Sequence, residues 1–200
     1  MHIAFEGPIG AGKTTLAKLL AARLGAGCEL LLEDFGENEF LKDFYDNPAR
    51  WSLPMQLDFL VSRYAQFCHA ASLSKRWIVA DHSMRKDRIF ANLLLRSREA
   101  RLYDRIATAL VDRAAKPELT VYLDAPNAVL IERIRLRGRP YEKNIDADYL
   151  DRLRGAYGDL SENEDFCSAF IVDTSEVDIS SEADITAIVN KILTHPRAVE

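Results

Sequence analysis

The sequence predicts an α/β fold: a five-stranded parallel sheet with helices on both faces. Short apolar runs alternate with longer segments of 3.6-residue hydrophobic period, which is the pattern of strand–helix–strand crossovers. The apolar runs contain few polar residues, as expected of strands that are buried on both faces. A length of 200 residues predicts one domain, because domains average roughly 150 residues.

Each strand is predicted from a short apolar run with clear bounds. The first run ends at Glu6, directly before a glycine-rich loop, and the fourth ends before the Asp124-Ala125-Pro126 turn. The predicted strands cover Ile3–Glu6, Leu30–Leu32, Trp77–Ala80, Leu119–Leu123 and Phe170–Val172.

Each helix is predicted from an apolar stripe and from the residues that end it. Leu16, Leu20 and Leu24 share one face of the first helix, which Gly25 closes. Gly138 ends the sixth helix in the same way. The predicted helices cover Lys13–Leu24, Asn38–Tyr45, Ser52–Leu73, Asp87–Leu95, Glu99–Ala115, Ala128–Leu136, Asp148–Leu160 and Ala183–Leu193.

The composition argues against several classes of protein. A chain with 48% hydrophobic and 28% charged residues is typical of globular proteins, and a net charge of −5 disfavours nucleic acid as a partner. No run approaches the roughly 18 apolar residues of a membrane span, and the first residues lack a signal-peptide pattern. The three cysteines have no metal-ligand or CxxC spacing, so we expect reduced thiols and a cytoplasmic protein.

The strongest motif is Gly7-Pro8-Ile9-Gly10-Ala11-Gly12-Lys13-Thr14, which matches the pattern G-x-x-x-x-G-K-[ST] between a strand and a helix. Its glycines let successive N–H groups point at phosphate oxygens, and the helix N-terminus adds a positive dipole end. We expect this loop and Thr15 to bind ATP. Lys13 would reach the outer phosphates, and the Thr14 hydroxyl would bind Mg²⁺.

A phosphate-binding loop occurs in small-molecule kinases, GTPases and motor ATPases. The sequence has no Asn-Lys-x-Asp motif for guanine, which disfavours a GTPase, and it is shorter than a motor ATPase.

The loop is one of several segments with a characteristic order and spacing: Gly7–Thr14, Phe44–Trp51, Gln56 with Ser62-Arg63, Asp81–Phe90, and Arg133–Ile145 with Tyr149-Leu150. Together these segments resemble the deoxyribonucleoside kinases. The resemblance runs from residue 3 to about residue 174 and implies a P-loop kinase fold with a helical, arginine-rich lid at about residues 133–145. It also implies a homodimer and ATP-dependent phosphorylation of the 5′-hydroxyl of a deoxyribonucleoside in nucleotide salvage.

Glu33 follows the second predicted strand, and ligands of open α/β sheets bind at the carboxyl ends of strands. We therefore expect Glu33 near the phosphate-binding loop. The resemblance implies that its carboxylate accepts the proton of the sugar 5′-hydroxyl and orients that hydroxyl for phosphoryl transfer.

The resemblance also implies the residues that bind the nucleoside. Gln56 would read the base edge, since an amide both donates and accepts hydrogen bonds and can bind adenine bidentately. Arg63 and Asp87 look like the pair that favours adenine, guanine or cytosine over thymine. Tyr45 and Glu142 match the contacts of the 3′-hydroxyl. We expect deoxyadenosine as the first substrate and deoxyguanosine as the second.

Arginines recur at every second position from 133 to 139. Arg133 and Arg137 lie four residues apart and so share one helix face. Arginine binds phosphate oxygens bidentately. The resemblance implies that Arg133, Arg137 and Arg139 close over the triphosphate and stabilise transferred charge, with weaker support for Arg135.

The chain departs from the family after the third strand, where most animal members have an acid-Arg-Ser triplet. Asp81 keeps the carboxylate expected of a Mg²⁺ ligand, but His82 replaces the arginine. His82 performs part of the arginine's role at the substrate, a lid arginine compensates for it, or the imidazole only packs. The sequence leaves these three alternatives open.

Two other functions remain open at this stage. A nucleoside-monophosphate kinase, such as a thymidylate kinase, shares the loop and the lid but needs arginines placed for the acceptor phosphate. A regulatory nucleotide-binding module without catalysis lacks the base or the lid, whereas Glu33 and the arginines are present here.

Overall fold

The computed structural model describes residues 1–111, 114, 116–143, 145–161, 170–178 and 181–196. The chain forms two compact units and passes between them several times. The sheet unit comprises Met1–Leu32, Lys75–His82 and Pro117–Glu200, and the helical unit comprises Glu33–Ser74 and Ser83–Lys116. The prediction of one kinase domain over residues 1–200 stays a prediction.

The sheet unit contains the five parallel strands that the apolar runs predict. They are β1 (His2–Glu6), β2 (Cys28–Leu31), β3 (Trp77–Ala80), β4 (Leu119–Asp124) and β5 (Phe170–Asp173). The strand order is β2-β3-β1-β4-β5. The strands β2 and β3 therefore lie on one side of β1, and β4 and β5 lie on the other. Such a reversal at a central strand is where α/β sheets bind ligands, and the glycine-rich loop follows this strand.

The helices are numbered in chain order. The sheet unit carries α1 (Lys13–Leu24), α6 (Asn127–Arg137), α7 (Ala147–Ser161) and α8 (Glu182–Leu193). The helical unit carries α2 (Leu41–Asp46), α3 (Pro48–Ser72), α4 (Met84–Leu94) and α5 (Ser97–Val111). Within the described ranges, none of these helices has both the length and the apolar character that crossing a bilayer requires.

Two helices, α3 and α4, begin three or more residues earlier than the sequence predicts, and their first turns explain why. Helix α3 begins before Ser52, because Pro48 fits the first helical position, where its missing N–H removes no hydrogen bond. Helix α4 begins before Asp87, because the Ser83 hydroxyl accepts the N–H of Arg85 at 3.1 Å and caps the helix. Residues 112, 113 and 115 of the predicted helix Glu99–Ala115 lie outside the described residues.

The core of the sheet unit consists of strand residues with helix side chains packed against them. Ile3 and Phe5 of β1 and Val121 of β4 are completely buried, as are Leu20 of α1 and Ile192 of α8. Full burial of each such side chain contributes about 1.5–3 kcal/mol. This core holds the end of β1, and hence the start of the glycine-rich loop, in one conformation.

Helix α3 is the centre of the helical unit and packs against α2, α4 and α5. Its buried apolar face includes Leu60 and Phe67, and α5 contributes Tyr103 and Ala107. Besides Ser52, the same helix also buries two larger polar side chains, Gln56 and Arg63. Because buried polar groups need partners, these two positions mark a candidate site within this unit.

Replacing either of two glycines with alanine should change the stability of the sheet unit, but in opposite directions. Gly138 ends α6 at φ +67°, a left-handed conformation, so Gly138→Ala costs about 1 kcal/mol of unfolding free energy. Gly155 lies inside α7 with open space around it, so Gly155→Ala gains about 0.5–1 kcal/mol. Urea unfolding of the two variants measures both changes. Equal effects of the two substitutions would contradict the assigned conformations.

Candidate active site

The glycine-rich loop has the backbone that phosphate binding requires. Gly7 adopts φ +137° and Gly10 φ +88°, which L side chains rarely adopt. A Cβ at Gly7 would lie 2.1 Å from the carbonyl oxygen of Leu123, and one at Gly10 would lie 2.9 Å from that of Leu130. The loop therefore packs directly on β4 and α6, and glycine is required for this close approach. It ends at Gly12, where α1 begins.

Polar side chains beside this loop come from the first residues of α1, Lys13 and Thr14, and from Asp81, which follows β3. The Lys13 ammonium donates to the carbonyl oxygens of Gly7 and Pro8, each at 2.7 Å. The Thr14 hydroxyl donates to Asp81 Oδ2 at 2.6 Å, although 67 residues separate them. Because β1 and β3 are neighbouring parallel strands, the residues that follow them lie close together. The hydroxyl and the carboxylate that the sequence assigns to Mg²⁺ are therefore in contact.

These two oxygen ligands fit Mg²⁺. This ion typically binds one or two protein oxygens and completes its shell with substrate phosphates and water. In the described part of the chain no group of three His, Cys, Asp or Glu side chains is arranged to hold a metal. A hydroxyl and one carboxylate beside a phosphate-binding loop suit an ion that arrives with the nucleotide.

His82 lies beside Asp81 and is completely buried. Its Nδ1 is 3.0 Å from Asp81 Oδ1, so the same carboxylate contacts Thr14 through one oxygen and the imidazole through the other. His82 thus fixes the orientation of the Asp81 carboxylate. The predicted contact of His82 with the substrate stays a prediction.

Arg133 is anchored to the segment after β5. Its guanidinium donates to the hydroxyl of Thr174 at 3.0 Å, to the carbonyl of Thr174 at 2.6 Å and to the carbonyl of Val177 at 3.3 Å. Burial lowers the pKa of Arg133 from its ordinary value. The Thr174 hydroxyl lies 3.3 Å from the carbonyl of Ala11 in the phosphate-binding loop. Arg133 therefore joins α6 to that loop, and its action on phosphate stays a prediction.

The other two predicted lid arginines, Arg137 and Arg139, both contact the carboxylate of Glu142. Arg137 donates to both carboxylate oxygens of Glu142, at 2.7 and 2.6 Å, and Arg139 is 3.5 Å from Oε1. The Glu142 carboxylate is buried, whereas the arginines are about one-third exposed, at 35% and 30%. The carboxylate thus holds the end of α6 and the turn at Pro140–Glu142 together. Asn144 of the predicted lid lies outside the described residues.

The helical unit contains a buried cluster of four charges, which we call the carboxylate cluster: Glu33, Arg63, Lys86 and Asp87. Arg63 Nε donates to Glu33 Oε1 at 2.7 Å, and its Nη2 contacts the same oxygen. Arg63 Nη1 contacts Asp87 Oδ1, and the Lys86 ammonium contacts Glu33 Oε2. The structure therefore brings three of the predicted site residues together, and Lys86 is an addition.

The cluster is buried and electrically balanced. Its side chains are at most 7% exposed, and two carboxylates face two cations. Burial alone would lower the pKa of the Arg63 guanidinium, but the carboxylates of Asp87 and Glu33 outweigh it and hold that pKa above its ordinary value. Because unpaired buried charges are strongly unfavourable, each member depends on the others.

Gln56 lies on the same helix as Arg63 and is 2% exposed. Its Oε1 has no hydrogen-bond partner, and its Nε2 contacts only the weak acceptor Met55 Sδ at 3.7 Å, among the described residues. A buried amide left this way is unfavourable unless a ligand completes its hydrogen bonds. Tyr45 is half-buried and packs edge-on against Phe44, with the ring centroids 5.1 Å apart.

A family profile for deoxynucleoside kinases matches residues 3–195. The chain belongs to the deoxynucleoside kinase family. It is 39% identical to a deoxyguanosine kinase of Bacillus subtilis, over 78% of this chain and 75% of that one. It is 34% identical to a deoxyadenosine kinase of Dictyostelium discoideum, over 78% of this chain and 64% of that one. A solved deoxyadenosine kinase of M. mycoides, with dCMP and dCDP bound, matches with a TM-score of 0.84 and 26% identity, covering 98% and 100% of the two chains.

Family membership confirms the P-loop kinase fold and the kinase class that the sequence predicts. The roles of individual residues in this deoxynucleoside kinase stay predictions. The sheet unit contains the loop residues, Asp81, His82 and the lid arginines at 133, 137 and 139. The helical unit contains Glu33, Gln56, Arg63 and Asp87.

Lys86 is a functional candidate that motif spacing did not indicate. It contacts Glu33 across 53 residues of sequence. Its position follows from charge balance, since Glu33 and Asp87, once buried together, need more than the one cation of Arg63.

Glu6 and Tyr157 form a second buried pair that the sequence did not indicate. The Tyr157 hydroxyl donates to Glu6 Oε2 at 3.1 Å, and burial raises the pKa of Tyr157 well above its ordinary value. Because Glu6 directly precedes Gly7, this bond ties α7 to the start of the phosphate-binding loop in this deoxynucleoside kinase.

Proposed function

We propose that this deoxynucleoside kinase transfers the γ-phosphoryl group of ATP to the 5′-hydroxyl of a purine deoxyribonucleoside. The new bond joins the 5′-oxygen to the γ-phosphorus. The bond that breaks joins the γ-phosphorus to the oxygen that bridges it to the β-phosphorus. The products are a deoxynucleoside monophosphate and ADP. Deoxyadenosine is the expected first substrate and deoxyguanosine the second.

The sheet unit supplies the groups for the donor. Backbone N–H groups of the phosphate-binding loop and the Lys13 ammonium bind the phosphates of ATP. Thr14 and Asp81 would hold Mg²⁺, which would neutralise phosphate charge when bound. Arg137 and Arg139 supply further positive charge, because their side chains retain solvent access beside Glu142.

The helical unit supplies the groups for the acceptor. Glu33 accepts the 5′-hydroxyl proton and orients its oxygen toward the phosphorus. Gln56 binds the base edge through the amide oxygen that has no partner within the described residues. Tyr45 and Glu142, the latter from the sheet unit, are proposed for the 3′-hydroxyl.

The observation that carries this proposal is the carboxylate cluster. It occurs in a chain that belongs to this family and that matches every fixed position of the phosphate-binding motif. A buried Arg63–Asp87 pair presents a carboxylate to an exocyclic amine and a guanidinium to a ring acceptor. Adenine, guanine and cytosine each carry an exocyclic amine, whereas thymine has none, so this pair selects against thymidine.

A panel of four deoxyribonucleosides, with ATP and with GTP as donors, tests the proposal. We expect kcat/KM to be highest for deoxyadenosine, followed by deoxyguanosine, and at least about 10-fold lower for thymidine. Thymidine monophosphate serves as the comparison acceptor. Turnover of thymidine monophosphate without turnover of any deoxyribonucleoside would overturn the proposal. Binding of ATP and deoxyadenosine without product would indicate a regulatory module.

We also propose a homodimer formed through α3 and α5, in the cytoplasm. Two large apolar side chains on these helices support it, because Val61 is 55% exposed and Leu102 is 44% exposed. Exposed apolar residues on neighbouring helices favour an interface when they form one patch.

A further inference from the structure

Lys86 is a buried lysine whose ammonium contacts a carboxylate that the reaction needs. It lies on α4 and is 5% exposed. Its Nζ contacts Glu33 Oε2, while Arg63 contacts Glu33 Oε1. Each oxygen of the proposed base therefore has its own cation, one from α3 and one from α4. Held from two helices, the carboxylate cannot rotate without losing a charged contact.

The surroundings of Lys86 keep its ammonium in this position. Nζ lies 5.2 Å from the ring centroid of Phe35 and 5.6 Å from that of Phe90. Both distances are within the range of cation–π attraction. Aromatic walls exclude water and lower the local dielectric constant, which strengthens the contact between the ammonium and Glu33.

The two cations of the cluster, Arg63 and Lys86, differ in the carboxylates that they contact. Arg63 contacts both carboxylates of the cluster, whereas the contact of Lys86 is with Glu33. Without Lys86, two buried carboxylates share one guanidinium and compete for its N–H groups. Glu33 then keeps contacts at one oxygen from Arg63 but loses the charge that fixes the other oxygen.

We propose that Lys86 is a positioning residue that holds Oε2 of Glu33 in the orientation required for accepting the 5′-hydroxyl proton. The proposal rests on the proposed function, because it needs Glu33 as the base. Lys86 acts through Glu33 and has no assigned contact with the substrate. Its loss therefore affects kcat at saturating substrate more than KM.

The experiment compares Lys86→Met, which removes the charge, with Lys86→Arg, which keeps it. Lys42→Met is the matched control, because Lys42 is an exposed lysine of the same unit. With saturating ATP and deoxyadenosine we expect Lys86→Met to lower kcat about 100-fold, since a small misplacement of a reacting group has effects of this size. The KM for deoxyadenosine should change less than about 3-fold, and Lys86→Arg should stay within about 10-fold of the wild-type kcat.

A double-mutant cycle with Glu33→Gln distinguishes positioning from a structural role. If Lys86 acts through Glu33, then Lys86→Met should change the residual kcat of the Glu33→Gln enzyme less than about 3-fold. A purely structural lysine would instead lower kcat equally in both backgrounds, or would lower only the Tm. Either of those results, or a wild-type kcat in a folded Lys86→Met enzyme, would overturn the proposal.

The failure of this proposal is separable from failure of the proposed function. Wild-type enzyme that phosphorylates deoxyadenosine, with an unaffected Lys86→Met variant, refutes the role of Lys86 alone. Wild-type enzyme without this activity refutes both proposals as stated. In that case the Tm still tests the contact, because Lys86→Met should lower it by about 10 °C in the wild type and by less in Glu33→Gln. Equal Tm losses in both backgrounds would refute the contact.

Discussion

Replacing Glu33 with Gln should lower kcat for deoxyadenosine by about 100- to 10,000-fold and leave the Kd for ATP nearly unchanged. The amide keeps the shape of the side chain but cannot accept the 5′-hydroxyl proton as a base. The donor groups at Lys13, Thr14 and Asp81 are not altered by the change. Steady-state kinetics with saturating substrates and equilibrium binding of ATP measure the two quantities.

Glu37→Gln is the matched control for this prediction, because Glu37 is an exposed acid in the same segment. It should retain the wild-type kcat. The Glu33→Gln enzyme must also be shown to be folded, since the amide leaves Arg63 and Lys86 without the charge that balances them. A folded Glu33→Gln enzyme with the wild-type kcat would refute the assignment of Glu33 as the base.

Features determined by neighbouring residues were predictable from the sequence. The phosphate-binding loop is contiguous, and its glycines have the positive φ angles that the motif requires. The five strands were predictable because runs that are apolar throughout are typical of a sheet buried on both faces. The order of the strands and the first residues of α3 and α4 were not, since they depend on packing and on capping.

Contacts between distant residues were only partly predictable. The pairing of Thr14 with Asp81 follows from where two strands end, and the pairing of Arg63 with Asp87 follows from the family resemblance. Lys86 was missed because nothing in its local sequence separates a buried lysine from an exposed one. Its burial is set by Glu33, which approaches from elsewhere in the chain.

Arg133 shows how much a helical spacing can predict. The spacing of four residues places Arg133 and Arg137 on one face of α6, but it does not indicate what packs against each of them. Arg133 contacts the backbone after β5, whereas Arg137 contacts Glu142. The two arginines on this helix face thus have different surroundings, because Arg133 contacts a hydroxyl and backbone carbonyls whereas Arg137 contacts a carboxylate.

Replacing Asp87 with Ala should reduce the preference for deoxyadenosine over thymidine, measured as the ratio of kcat/KM values, by about 10- to 100-fold. Asp87 is completely buried and holds Nη1 of Arg63. Without this carboxylate Nη1 of Arg63 can donate to the carbonyl of thymine while Nε stays with Glu33, and the acceptor for an exocyclic amine is lost. Kinetics with the two nucleosides measure the ratio.

The same substitution should also lower the free energy of unfolding by about 3 kcal/mol, because it removes one partner of a buried ion pair. The remaining contact of Arg63 with Glu33 limits the loss. Asp104→Ala, at an exposed position of α5, is the control and should change neither quantity appreciably. If Asp87→Ala lowers stability while the ratio of kcat/KM values is unchanged, then the Arg63–Asp87 pair supports the helical unit and has no part in selecting the base. A changed ratio at preserved stability would place Asp87 at the base and show that Glu33 alone balances Arg63.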